Sequence, residues 1–203
     1  MEALTDLFYE LGTLKHIKRS YRTNVLQDTE SVAEHAHRAS IIAFFLAQRC
    51  GVDPYTTTIM ALFHDMAETR TGDSNWLQKP YVNQFEDKAV EQQLEGLGDN
   101  ALLLKTILKE YKERKSLESK VAKDADSLEY ILSLRELELT GNLEAKRRLD
   151  SESTTDKHLY TQEAKKLRAI IMKTHPTQWT RKDMLESHNK YNLDGNNQNV
   201  LIV

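Results

Sequence analysis

Apolar residues along this chain recur at three- and four-residue steps, a period that selects helices almost everywhere. Leu4, Leu7, Phe8, Leu11 and Leu14 line one side of an opening amphipathic helix. A basic, irregular stretch follows, from Lys15 to Arg22. Ser31 and Glu34 then form a capping-box pattern, in which the hydroxyl accepts from a free first-turn amide and the carboxylate reaches back. The helix they open runs through Ile41, Ile42, Phe44, Phe45 and Leu46 to Gly51, a residue suited to a left-handed helix stop. Asp53-Pro54 restarts the chain as a cap followed by proline at the first helical position. That helix carries Ile59, Met60, Leu62 and Phe63 into His64-Asp65. Beyond a turn-rich connection from Thr71 to Pro80, the pattern predicts helices near 85–97, 100–114, 119–140, 161–173 and 182–191. The last ten residues read as a tail. No segment carries the two-residue period of a strand, and no internal repeat is visible. The expected fold class is all-α, in a single compact domain.

Composition narrows the function. A chain of 203 residues is long enough for one sizeable core, and 7 Gly and 3 Pro are too few for an all-β fold with its many turns. With 39% apolar and 29% charged residues, disorder is excluded. A net charge of −3 argues against a nucleic-acid partner but is compatible with a local cationic pocket for a phosphate ester. The single cysteine, Cys50, excludes an intrachain disulfide and suits a reducing compartment, as a structural thiol in an apolar run. The N-terminus lacks a basic, then apolar, leader pattern, and no run approaches the roughly 20 apolar residues of a membrane span. A cytoplasmic protein with no membrane partner is expected.

Candidate chemistry gathers around three of the seven histidines. His16, His158, His175 and His188 stand among polar neighbours with no carboxylate pattern and read as surface or structural residues. His64-Asp65 ends a strongly apolar helix, and burying an ionised aspartate there costs several kcal/mol unless it is compensated. A divalent cation compensates well, since imidazole and carboxylate are natural ligands for one. Neighbouring helical residues lie about 100° apart, so the pair can flank one ion, and Glu68 returns to the same face. A simpler reading is that the pair is polar because the helix ends there. His35 and His37 are about 200° apart around a helix and cannot share a site. His35 is the one flanked by the small residues Val32, Ala36 and Ala39. Much later, Lys123-Asp124-Ala125-Asp126 opens a helix, where acidic residues also serve the helix dipole. Of the two aspartates, Asp124 lies closer to the apolar arc of Val121, Ala125, Leu128 and Leu132.

Taken together, these segments resemble the HD-domain phosphohydrolase superfamily, most closely its 5′-deoxynucleotidase branch. The matching stretches are Leu14 to Arg19, Ser31 to His35, His64 to Glu68, Thr71-Gly72-Asp73 and Lys123 to Leu128, in the family's order and spacing. The resemblance implies an HD-type helical bundle over residues 1–193 with a C-terminal tail at 194–203, and a homodimer. It implies metal ligation by His35, His64, Asp65 and Asp126, taking Asp126 over Asp124. It also implies that Glu68 handles the attacking water, that Asp73 is a second acidic residue needed for turnover, and that Arg19 holds the substrate phosphate. Mn²⁺, Co²⁺ or Fe²⁺ suits this mixed donor set better than Ca²⁺, and Mg²⁺ or Zn²⁺ is also compatible. The expected reaction is hydrolysis of nucleoside 5′-monophosphates, deoxyribonucleotides in particular. Nucleoside triphosphates, cyclic or alarmone nucleotides, or a metal-bound regulatory module without turnover are the alternatives. The spare carboxylates Glu68 and Asp73 weigh against the last. Two features depart from the closest deoxynucleotidases: Ser20 stands where they carry tryptophan, and the connection over 74–80 is altered. Substrate identity is therefore open.

Overall fold

The computed structural model describes residues 1–151, 154–181 and 184. Among the described residues the fold is built on ten α-helices: α1 (Glu2–Gly12), α2 (Arg22–Val25), α3 (Val32–Cys50), α4 (Pro54–Phe63), α5 (Glu68–Thr71), α6 (Glu86–Gln93), α7 (Asp99–Glu113), α8 (Leu117–Leu139), α9 (Leu143–Leu149) and α10 (Gln162–Lys173). Among the described residues, extended pairing is limited to one antiparallel bridge between Lys18 and Ser31. The all-α expectation holds.

Local signals set the ends of the central helices. The Ser31 hydroxyl accepts from the Glu34 amide at 3.2 Å, and the Ser31 amide donates to the Glu34 carboxylate at 2.6 Å, completing the capping box of α3. Gly51 ends that helix at φ 69°, where a side chain would be strained. Asp53 accepts from the Tyr55 and Thr56 amides and opens α4, with Pro54 needing no donor there.

The long helices α3 and α8 pack against each other and against α4. Their contact stripes are rich in small residues: Ala39, Ala43 and Ala47 on α3, Ala61 on α4, Ala122 and Ala125 on α8, all buried. Small side chains let the backbones approach closely, and Leu46, Met60, Val121, Leu128 and Leu134 fill the space between them. Each such large side chain contributes about 1.5–3 kcal/mol by leaving water. This rigid three-helix frame carries the polar residues of the site described below. A satellite cluster of Leu7, Met66, Leu94 and Ala101 ties α1 to the chain that follows α4.

Three helices were not expected. The short α2 begins in a stretch that reads as irregular, and α5 begins at Glu68, which the spacing places on the same helix as His64-Asp65. In α9, Asn142 supplies the cap by accepting from the Ala145 amide at 2.9 Å. Apart from Met184, the helix expected near 182–191 and the tail at 194–203 lie outside the described residues. Among the described residues, no helix is long and apolar enough to cross a membrane.

Glu10 links α1 to α5 and α6. Its carboxylate accepts from Arg70 Nε at 2.7 Å, Thr69 Oγ1 at 2.7 Å and Gln93 Nε2 at 2.8 Å. The Arg70 hydrogen bond is the chief cause that holds its pKa down, at about 2, against the opposing effect of burial. A depressed carboxyl stabilises the fold above its unfolded pKa of about 4.3, and that contribution is lost as pH falls towards 2. Glu10→Gln is therefore expected to flatten the fall in thermal midpoint between pH 4.5 and 2. An unchanged pH response would show that this junction does not contribute.

Candidate metal centre

Four polar side chains meet where α3, α4 and α8 converge. His35 lies one turn into α3 and is fully buried. His64 caps the C-terminal end of α4, Asp65 follows in the turn before α5, and Asp126 projects from α8. The two imidazole Nε2 atoms face each other at 3.4 Å. Asp65 Oδ2 lies 3.1 Å from His64 Nε2 and 3.8 Å from His35 Nε2. Asp126 Oδ1 mirrors it, at 3.1 Å from His35 Nε2 and 3.8 Å from His64 Nε2. His35, His64 and Asp126 each offer a ligand atom within 4.8 Å of the others.

The outer ring nitrogens assign the tautomers. His64 Nδ1–H donates to the Ala61 carbonyl at 2.8 Å, and His35 Nδ1–H donates to Glu129 Oε2 at 2.5 Å. In the neutral rings both Nε2 atoms therefore carry bare lone pairs, and they point at one another and at two carboxylate oxygens. Such a convergence of electron-rich atoms is repulsive unless a cation occupies it. A proton can fill part of that role. Burial opposes a charge on His35, yet its hydrogen bonds to Asp126 and Glu129 prevail and push its pKa up to about 10. Burial likewise opposes the Asp65 charge, and His64 and Arg19 outweigh it, holding that carboxyl well below its usual range. The mixed imidazole and carboxylate set fits a divalent cation.

A cationic and acidic rim surrounds these four. Arg19 Nη1 sits 3.0 Å from Asp65 Oδ2 and 3.5 Å from Asp73 Oδ2, and Asp73 Oδ2 accepts from the Ser20 amide at 2.8 Å. Asp73 thus holds the Arg19–Ser20 segment against the site. Glu68 opens α5 rather than continuing α4, because tight turns over 64–67 separate the two helices. Its Oε2 is buried with no hydrogen-bond partner. Burial first, then the neighbouring Asp65 and Asp73 charges, raise its pKa to about 9. Lys123 Nζ donates to Asp126 Oδ2 at 2.5 Å, so the aspartate's second oxygen is held by a cation.

The two aspartates of α8 have separate tasks. The helix begins at Leu117, so neither aspartate lies in its first turn, and the helix-dipole reading does not apply. Asp124 is buried, as its apolar neighbours indicated, but it faces the start of α10. There it accepts from the Tyr160 amide at 2.7 Å, the Thr161 amide at 2.8 Å and the Thr161 hydroxyl at 2.7 Å. His37, on the other side of α3 from His35, is exposed.

A cavity of about 730 Å³ opens beside the centre, with Arg19, Asp73, Lys123, Asp126, Tyr130 and Trp76 on its walls. Ser20 and four residues of the 74–80 connection, Ser74, Asn75, Trp76 and Lys79, also line it, so both departures from the deoxynucleotidase pattern fall on this cavity. Sequence reasoning missed its far wall. Arg147 and Arg148 arrive there on the unexpected α9, and His158, which read as a surface residue, is exposed but faces the same space. The Asn142 cap was the available signal for α9; nothing in the sequence pointed to His158.

Comparison with known proteins agrees with this geometry. The HD-domain family model matches residues 11–169. A zebrafish (Danio rerio) protein, 5′-deoxynucleotidase HDDC2, is 30% identical over 146 residues, covering 68% of this chain and 71% of the relative. A crystal structure from a genomics programme is 28% identical with a TM-score of 0.67, covering 88% of this chain and 99% of that one. A conserved hypothetical protein from Pyrococcus furiosus is 25% identical with a TM-score of 0.65, covering 84% and 99%. With its paired imidazoles and carboxylates at the junction of three helices and the family match spanning most of its length, this chain belongs to the HD-domain family of metal-dependent phosphohydrolases.

Proposed function

We propose that this protein hydrolyses nucleoside 5′-monophosphates, deoxyribonucleotides among them, to nucleoside and phosphate, with a divalent cation held by His35, His64, Asp65 and Asp126. The observation that carries the reading is the meeting of two imidazole Nε2 atoms and two carboxylates beside Arg19, on the wall of a cavity of nucleotide scale. The activity named for the zebrafish relative supports the choice of substrate.

When bound, the cation supplies charge that neutralises the phosphate and acidifies a water molecule. The chain's own residues do the rest. Arg19 presents a planar guanidinium, suited to two non-bridging phosphate oxygens at once. Asp73 keeps that arginine at the centre through the Ser20 amide and its own ion pair. Glu68 takes a proton from the attacking water as the water oxygen adds to phosphorus and the ester P–O bond breaks, and that proton then passes to the departing nucleoside oxygen, giving nucleoside and phosphate. Glu68 Oε2 has no partner among the described residues, and the positive charge of a bound cation would favour the ionised carboxylate that this step requires.

Arg19→Ala is expected to raise KM by about 10- to 100-fold with metal content unchanged, and Arg19→Lys to restore little, since an ammonium lacks the planar fork. Loss of metal in either variant would instead assign Arg19 to the support of Asp65. Product analysis tests the reaction itself. Inorganic phosphate and nucleoside released from a deoxynucleoside monophosphate support it. Triphosphate released from a nucleoside triphosphate, or a ring-opened cyclic nucleotide, with monophosphates untouched, overturns it.

A further inference from the structure

We propose that Glu129, held in place by Arg38, is the positioning residue that orients His35 and keeps its Nε2 free for a cation; this rests on the metal-centre reading above.

Glu129 projects from α8 and is only 1% exposed. A carboxylate taken that far from water costs several kcal/mol unless its oxygens are satisfied. Its two oxygens are satisfied by different partners. Oε1 accepts from Arg38 Nε at 2.9 Å, from Arg38 Nη2 at 2.7 Å and from the Ser133 hydroxyl at 3.1 Å. Oε2 is left to His35 Nδ1, at 2.5 Å.

A pair serving only to join α3 to α8 would set the guanidinium fork across both carboxylate oxygens. Here the fork is confined to one oxygen, and the other faces the imidazole. Arg38 is anchored in turn by Glu136 Oε1 at 2.6 Å and the Ser133 hydroxyl at 2.6 Å, so the carboxylate is held from behind. His35 and Arg38 lie three residues apart on α3, and Glu129 spans both from the facing helix. A carboxylate in this place fixes the ring's rotation and its tautomer, and makes the opposite nitrogen a better donor to a cation.

The spacing along α8 reinforces the assignment. Lys123, Asp126 and Glu129 follow at three-residue steps, so they share one face of the helix. Asp126 faces His35 Nε2, Lys123 holds the far oxygen of Asp126, and Glu129 reaches the far nitrogen of His35. One helix therefore provides a carboxylate of the centre together with supports of opposite sign for that carboxylate and for an imidazole from α3.

Titration calorimetry with Co²⁺ tests this on the full chain. Glu129→Gln keeps the shape but removes the charge, and is expected to weaken Co²⁺ binding about 10- to 100-fold, with Glu129→Asp recovering part of the loss. Binding within twofold of wild type in Glu129→Gln overturns the proposal. A wild-type chain that binds no Co²⁺ would instead remove the metal-centre reading on which it rests. Histidine ¹⁵N spectra of the wild-type protein loaded with Zn²⁺ provide a second measurement that does not depend on the folding of Glu129→Gln. The expected pattern is a proton on His35 Nδ1, protected from solvent exchange, with metal on Nε2. A freely exchanging Nδ1 proton, or metal on Nδ1, contradicts it.

Discussion

Asp126→Ala is expected to bind no divalent metal in a calorimetric titration and to release no phosphate, while Asp124→Ala keeps the metal and loses stability. Asp126 puts Oδ1 3.1 Å from His35 Nε2, and its removal takes one of two carboxylates from the centre. It also leaves Lys123, whose ammonium it accepts, without its buried partner, so the variant site carries excess positive charge that disfavours a cation. Asp124 has no part in the centre. Its oxygens satisfy two backbone amides and a hydroxyl at the start of α10, and the same Thr161 hydroxyl accepts from the Ala164 amide at 3.2 Å. Alanine there strands buried donors, at an expected cost of about 2–4 kcal/mol. That is well above the contribution of an aspartate serving only a helix start, at about 1 kcal/mol or less. Metal loss in Asp124→Ala with retention in Asp126→Ala would exchange the two assignments.

Glu68→Gln should reduce turnover by roughly 10²–10⁴-fold, the usual contribution of a positioned general base, with metal content retained. The carboxyl lies beside Asp65 and Asp73 and has one oxygen buried without a partner, so it is available to a water molecule at the centre. Its effect on stability has a definite sign. Burial and the neighbouring negative charges raise its folded pKa to about 9, so without metal the folded state retains a proton that the unfolded chain releases above about pH 4.3. Stability of the chelated protein therefore falls as pH rises through that window, and glutamine removes this penalty. Chelated Glu68→Gln should melt higher than chelated wild type at pH 8, by a margin that shrinks towards pH 5. Near-normal turnover would move the proton-accepting role to Asp73.

Much of this could be read from the sequence because it depends on local chemistry. The capping box at Ser31, the stop at Gly51 and the Asp53-Pro54 restart each involve residues within a few positions of one another, and each forms as its pattern indicates. The approach of His35, His64, Asp65 and Asp126 is non-local, and no periodicity within one helix dictates it; only the resemblance of whole segments, in their order and spacing, to the HD-domain family implied it. Asp124 shows where periodicity misleads. The apolar arc correctly places it in the interior, but its partners are 36 and 37 residues further along the chain, so burial alone could not separate a capping role from a place at the metal centre. Glu129 was legible in principle, three residues beyond Asp126 on the same face, yet its role depends on Arg38, 91 residues earlier. The far wall of the cavity was hidden because α9 is short and polar and presents its arginines across space to α8 and the 74–80 connection.

Phosphate release from a deoxynucleoside 5′-monophosphate, measured on one preparation before chelation, after exhaustive chelation and after reloading with Mn²⁺ or Co²⁺, tests the central claim most directly when metal content is read in parallel. The account predicts activity that disappears with the metal, returns on reloading and is absent from Asp126→Ala under every condition. Full activity in the rigorously metal-free protein, or undiminished activity in Asp126→Ala, would contradict it.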